Sequence, residues 1–385
     1  VPPDLPPEPA PPPADRPFAD GPADLTFPAE RPAVPAPPPA GPPGPGLPES
    51  IAWCVGWFVT VQLFLMIPVA FAVQALGWAL LGRAPTLGET SIAALPIVQI
   101  AGGLLTLAAF RWRIGPLRKL GLGLPSGPAT LVACLSLPAV MFASTQWAAV
   151  AGALWAAACE AAPALEAMDG VSSLTAVNEL LRSVPLPALI LAAAVCPALA
   201  EELFCRGLIG RGLVARWGVW RGVALTSILF CLLHLHPAHA GALLPIAIFL
   251  HVAYLSSRSL WLPVGLHFAN NAAGLMLGKA LLARDALPDP HAAPPPNLAL
   301  FLVATGLAGL ACWAVWSVRL RTVDRRGGEI APRWPTVEGP PASAPLWSVV
   351  RWEAAPLALW GLFVPGFGAV MGLSLLALLM GWVEM

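Results

Sequence analysis

The chain has 385 residues, of which 57% are hydrophobic and 11% charged, with 21 acidic and 21 basic residues. Soluble globular domains carry charge on roughly a quarter of their residues, so that class is excluded, and zero net charge without a basic block points away from nucleic acid. A mean hydropathy of +0.72 and recurrent apolar runs of membrane-spanning length predict an all-α fold, a polytopic transmembrane helix bundle of eight or nine spans.

Residues 1–50 differ from the rest, because twenty of them are proline. Proline is excluded from helix interiors, and the segment has too little apolar mass to offset chain entropy. It is expected to be a disordered, polyproline-like tail, and it has no basic n-region followed by an apolar core, as a cleavable signal would. Beyond it, spans are expected near 51–82, 90–110, 128–158, 186–215, 219–236, 240–257, 260–283, 297–319 and 356–382. Pro68 and Pro138 are candidate kinks in the long first and third spans. The layout divides into N-terminal transmembrane helices (51–158), a motif-bearing helix core (186–283) and C-terminal transmembrane helices (297–385).

With the N-terminus cytoplasmic, 17 basic residues fall on the cytoplasmic side. Only Arg83, Arg182, Lys279 and Arg284 fall on the other. This bias supports a multi-pass integral membrane protein, expected in the plasma membrane. The cysteines (Cys54, Cys134, Cys159, Cys196, Cys205, Cys231, Cys312) form no C-x-x-C pair, so neither a disulfide framework nor a thiolate zinc site is indicated.

Glu201 and Glu202 are the acidic residues that fall inside an apolar segment rather than at its ends. A charge at the centre of a membrane helix costs about 2.5–3.5 kcal/mol on insertion scales, so it must pair or face water. Glu202 and Arg206 share a helix face four residues apart and can pair. Glu201 points about 100° away and is left for another task. On the next helix, "FCLLHLHP" sets Phe230 and His234 one turn apart; on the seventh, "LWLPVGLHFANN" sets His267 and Asn271 four apart. A carboxylate, two imidazoles and an amide from three helices can hold a water, take its proton and stabilise an oxyanion. His236 and His239, at a helix end, are expected in a solvated turn, and His251 in an interhelical bond. One feature of the layout conflicts with convergence: Glu201 lies about 15 residues, roughly 22 Å, from the outer end of its helix. His234 lies a similar distance from the inner end of the next, which predicts different depths.

E-E-x-x-x-R, F-x-x-x-H and H-x-x-x-N, with the Ser-Leu-Trp-x-Pro lead-in of "SRSLWLPVGLHFANN", resemble the CPBP (Abi) family. These are CAAX prenyl endopeptidases and bacteriocin-processing intramembrane proteases. The resemblance covers about residues 186–283; the tail and the last two spans lie outside it. It implies a membrane endopeptidase in which Glu201 and His234 activate water. His267 and Asn271 would bind the developing oxyanion, and Glu202 and Arg206 would brace the site. Its substrate would be a membrane-associated peptide or protein among membrane lipids. Two chemistries stay open: a metal-free glutamate mechanism, and zinc held by Glu201, His234 and His267, although H-E-x-x-H is absent. Two other classes compete, a catalytically silent regulator or scaffold of the same fold and a Glu/His-based transporter. The transporter reading calls for an internal repeat that the sequence does not show.

Overall fold

The computed structural model describes residues 44–320 except 172 and 287–294, together with Thr322–Val323 and Glu329–Ile330. The expected span near 356–382 and tail residues 1–43 lie outside the described residues. Among the described residues the helices are α1 (Leu47–Leu81), α2 (Leu87–Arg113), α3 (Gly127–Ala161), α4 (Ser173–Ser183) and α5 (Leu186–Trp217). They continue with α6 (Val219–Leu232), α7 (Pro237–Ser257), α8 (Trp261–Leu282) and α9 (Leu298–Ser317). A two-residue antiparallel pair, β1 (Thr322–Val323) with β2 (Glu329–Ile330), follows. Six helices (α1, α2, α3, α5, α7 and α9) are long and apolar enough to cross a membrane. Helices thus occupy the first eight expected positions, but α6, at 14 residues, reaches only about 21 Å. That is short of a bilayer core of roughly 30 Å.

The tail boundary moves. Residues 44–50, expected to belong to the disordered tail, are ordered: Gly44, Pro45 and Gly46 lead into α1 at Leu47, and Glu49 is 4% exposed. The cause is a buried ion pair. Arg113, at the end of α2, donates from Nε and Nη2 to the two Glu49 carboxylate oxygens at 2.5 and 2.7 Å, and Trp53 Nε1 donates to Glu49 at 3.3 Å. The Gly44 carbonyl accepts from Arg216 at 3.1 Å. Gly212 of α5 packs so closely that a Cβ there would collide with the Pro45 carbonyl.

Prolines act through local geometry. Pro68 is preceded by a π turn at Thr60–Leu65 and Pro197 by another at Leu191–Val195, each absorbing carbonyls that proline cannot bond. Pro138, the other expected kink, leaves α3 an uninterrupted 35-residue α-helix. A third π segment, Leu203–Ile209, contains Arg206 and no proline.

Helix α7 is the centre of the bundle, with 56% of its apolar window buried against 22% for α1 and α9. Leu250, Phe249 and Tyr254 are fully buried in a core shared with α3, α6 and α8. The start of α8 is clamped to the α2–α3 connection. Leu260 N–H donates to the Gly121 carbonyl (2.8 Å), Ser259 Oγ to Gly123 (2.6 Å) and Trp261 Nε1 to Leu122 (2.9 Å). Buried Arg211 of α5 donates to the Lys119 carbonyl in the same connection. The Ser-Leu-Trp stretch is therefore the fastener that sets where α8 begins.

Removing one partner of a buried pair typically costs about 3–5 kcal/mol. Glu49→Ala should accordingly lower the melting temperature in detergent substantially, as should deletion of residues 1–50. A melting temperature equal to wild type in both would show that the Glu49–Arg113 pair does not hold α1 to α2.

Candidate active site

Helices α5 and α6 form a tight antiparallel hairpin around Gly218, whose φ of 79° lies in the region glycine tolerates. A Cβ on Gly222 would approach the Val214 Cα to 2.5 Å, so the two backbones are in near contact beside the turn. Equal offsets from such a turn lie at equal depth. Arg206 and Phe230 are each twelve residues from Gly218, and the Arg206 guanidinium sits 4.8 Å over the Phe230 ring. Glu201 and His234, at 17 and 16 residues, are level by the same count. The predicted depth conflict disappears because α6 is a part-span that ends where Glu201 lies.

Glu202 is fully buried, and its Oε1 accepts from Arg206 Nη1 at 2.7 Å and from His267 Nδ1 at 2.9 Å. The other Arg206 terminal nitrogen donates to the Ala247 carbonyl of α7 at 2.8 Å. The i,i+4 brace expected from spacing is present. Its third member, His267, comes from α8.

Glu201 points elsewhere. Its side chain is 18% exposed, and its carboxylate makes no hydrogen bond to any described residue. The nearest ionisable partner is His267 Nε2, 4.0 Å from Oε2. Because His267 Nδ1 donates to the Glu202 carboxylate, it is Nε2 that faces Glu201, a tautomer set by the carboxylate behind the ring.

His234 follows α6, and its Nδ1 donates to the Phe230 carbonyl at 3.1 Å, which leaves Nε2 as the free lone pair. Both imidazoles stand edge-on to the Phe230 ring, with centroids 5.1 Å (His234) and 5.9 Å (His267) away. Phe230 thus spaces the two histidines and carries Arg206 above it. Asn271, one turn beyond His267, donates at 3.4 Å to the Ala193 carbonyl in the first π segment of α5, and its Oδ1 accepts from Asn270 at 3.1 Å.

Among the described residues no three His, Cys, Asp or Glu side chains converge as a metal-holding group. Glu201 and His267 face each other, while His234 packs on the same phenyl ring.

The remaining histidines correct the sequence reading. His236, expected in a solvated turn, is 4% exposed and pairs through Nε2 with Asp169 at 2.8 Å. His239 is half-buried with its ring 5.0 Å from that of His234. His251 is fully buried, yet among the described residues neither ring nitrogen has a hydrogen-bond partner. It packs on Gly210 of α5, where a Cβ would come within 2.6 Å of the imidazole, so close packing replaces the expected interhelical bond.

Residues 183–273 match the family described as type II CAAX prenyl endopeptidase Rce1-like. That match spans about a quarter of the chain and supports assigning this segment to the CAAX protease (CPBP) family. No curated protein and no solved structure matches the chain. The matched segment runs from the end of α4 to Ala273 in α8, and so contains Glu201, Glu202, Arg206, Phe230, His234, His267 and Asn271. Asp169, the partner of His236, lies before it.

The brace makes a direct prediction. Glu202→Gln and Arg206→Ala each strand a buried charge and should destabilise the protein by about 3–5 kcal/mol, read as lost yield and a lower melting temperature. Glu201→Gln removes a partly exposed carboxylate with no hydrogen bond and should leave both at wild-type values. The opposite pattern would mean that the two glutamates have exchanged roles.

Proposed function

We propose that the protein is an intramembrane endopeptidase that hydrolyses a peptide bond of a membrane-associated protein or peptide by a glutamate mechanism. The match of residues 183–273 to the Rce1-like family supports a CAAX-type protease. The observation that carries the mechanism is the division of labour between adjacent carboxylates, Glu202 spent on two buried donors and Glu201 free and facing His267.

In this reading a water lies between the Glu201 carboxylate and the His234 Nε2 lone pair. Glu201 takes its proton as the oxygen attacks the scissile carbonyl carbon. The carbonyl oxygen becomes an oxyanion and needs donors. His267 supplies one from Nε2 in its doubly protonated form, with Nδ1 donating to the Glu202 carboxylate. Asn271 Nδ2, held among the described residues by a long bond to the Ala193 carbonyl, supplies the second. Collapse of the tetrahedral intermediate breaks the C–N bond, and the proton held by Glu201 passes to the departing amine. The arrangement works with the site level with the end of α6, inside the bundle. The basic-residue bias supports an orientation with the N-terminus cytoplasmic.

The test is comparative. Membranes carrying wild type and Glu201→Gln should differ in defined peptides by mass spectrometry, and the peptide that accumulates with the variant is the substrate. On that substrate Glu201→Gln and His234→Ala should show no turnover, and Asn271→Ala should lose about 10²–10³ in kcat, as for one oxyanion donor. Identical peptide profiles would instead favour a catalytically silent regulator. Near one zinc per purified chain, lost in His234→Ala, would overturn the metal-free form of the mechanism.

A further inference from the structure

We propose that Asp169 is a positioning residue for His234, acting through His236 and the turn at Leu235. The inference rests on the hydrolytic reading of His234 given above. Asp169 belongs to the 3-10 segment Pro163–Val171 between α3 and α4, far in sequence from the site. Its Oδ1 accepts from Trp155 Nε1 of α3 at 2.8 Å and meets His236 Nε2 at 2.8 Å. The His236 ring also lies edge-on to Trp155, with centroids 5.0 Å apart. A carboxylate and an indole thereby fix His236 from two directions.

His236 in turn holds His234. Its backbone N–H donates to the His234 carbonyl at 2.7 Å, closing a three-residue turn with Leu235 at the centre. Leu235 has a φ of 60°, left-handed for a residue with a branched side chain, and that side chain is 41% exposed. The conformation costs of order 1–3 kcal/mol and persists only where the surroundings enforce it. Leu235 gains too little burial to enforce it by itself. The enforcing contacts are those of His236. If they are lost, the turn relaxes, the His234 backbone shifts, and the Nδ1 bond to Phe230 that aims Nε2 goes with it. A misplacement of about 1 Å at a reacting group can cost as much as 10²-fold in rate.

The experiment uses the full chain in detergent or nanodiscs with the substrate identified from the Glu201→Gln comparison. Asp169→Ala and His236→Ala should lower kcat by about tenfold or more with KM within about twofold of wild type. Asp169→Asn retains an acceptor oxygen for both donors and should restore most of the rate. The discriminating variant is Leu235→Gly. Glycine adopts the left-handed turn without strain, so in that background Asp169→Ala should lose less than about threefold. A second readout does not need turnover: the imidazole nitrogen resonances of isotopically labelled His234 should move in Asp169→Ala and not in Asp169→Asn. Wild-type kcat in Asp169→Ala, an equal loss in the Leu235→Gly background, or an unmoved His234 signal would each overturn the proposal. If the resonances move as expected while wild type cleaves nothing, the positioning stands and the hydrolytic reading fails.

Discussion

One carboxylate oxygen organises this bundle. Glu202 Oε1 lies where water cannot solvate it, and a bare charge there would cost several kcal/mol. Two donors answer it, Arg206 from the same helix and His267 from α8. Arg206 must then satisfy its own hydrogen-bonding capacity, and it reaches the Ala247 carbonyl on α7 and the face of Phe230 on α6. Four helices are drawn together by the need to neutralise one buried group. The neighbouring residue, Glu201, is turned away from that oxygen by the helix rotation and makes no hydrogen bond among the described residues.

Local spacing made part of this legible. The i,i+4 relation of Glu202 and Arg206 was enough to predict the brace, and apolar length was enough to place helices at eight positions. Contacts between distant segments were not legible. Nothing in the periodicity joins His267 to Glu202, 65 residues away, or Asp169 to His236, 67 away. Proline content runs on past Gly44 and so hides the true boundary of the tail, whereas the Glu49–Arg113 pair orders the chain from there. His236 looked solvated because it follows a helix end, and the sequence carries no sign that Trp155 and Asp169 close over it.

The depth conflict had a simpler cause. Each apolar run was counted as a full crossing, and α6 is not one. A signal for the correct reading is present in the chain. The E-E-x-x-x-R and F-x-x-x-H motifs are mirror images about Gly218, and a tight hairpin converts that symmetry in sequence into contact in space. Ending α6 early also puts the non-helical backbone of His234–His236 level with Glu201 rather than at the far end of a full span. Within a bilayer such backbone is tolerated where protein buries it or water reaches it, and the hydrolytic role proposed above calls for the second condition.

The π segment Leu203–Ile209 carries a further consequence. A π turn is an α-helix with one surplus residue, because its hydrogen bonds reach back five positions instead of four. The π segment can therefore lose its surplus residue and keep Glu201 and Glu202 aligned, whereas deleting one residue from the regular turns of Gly210–Trp217 would rotate them by about 100° relative to Gly218. The Arg206 register against Phe230 would be lost with such a deletion. The stretch from Glu201 to His234 is thus constrained in length more tightly than in composition. Divergent descendants could exchange its lipid-facing side chains freely, yet an insertion or deletion in either limb would have to be compensated within that same limb.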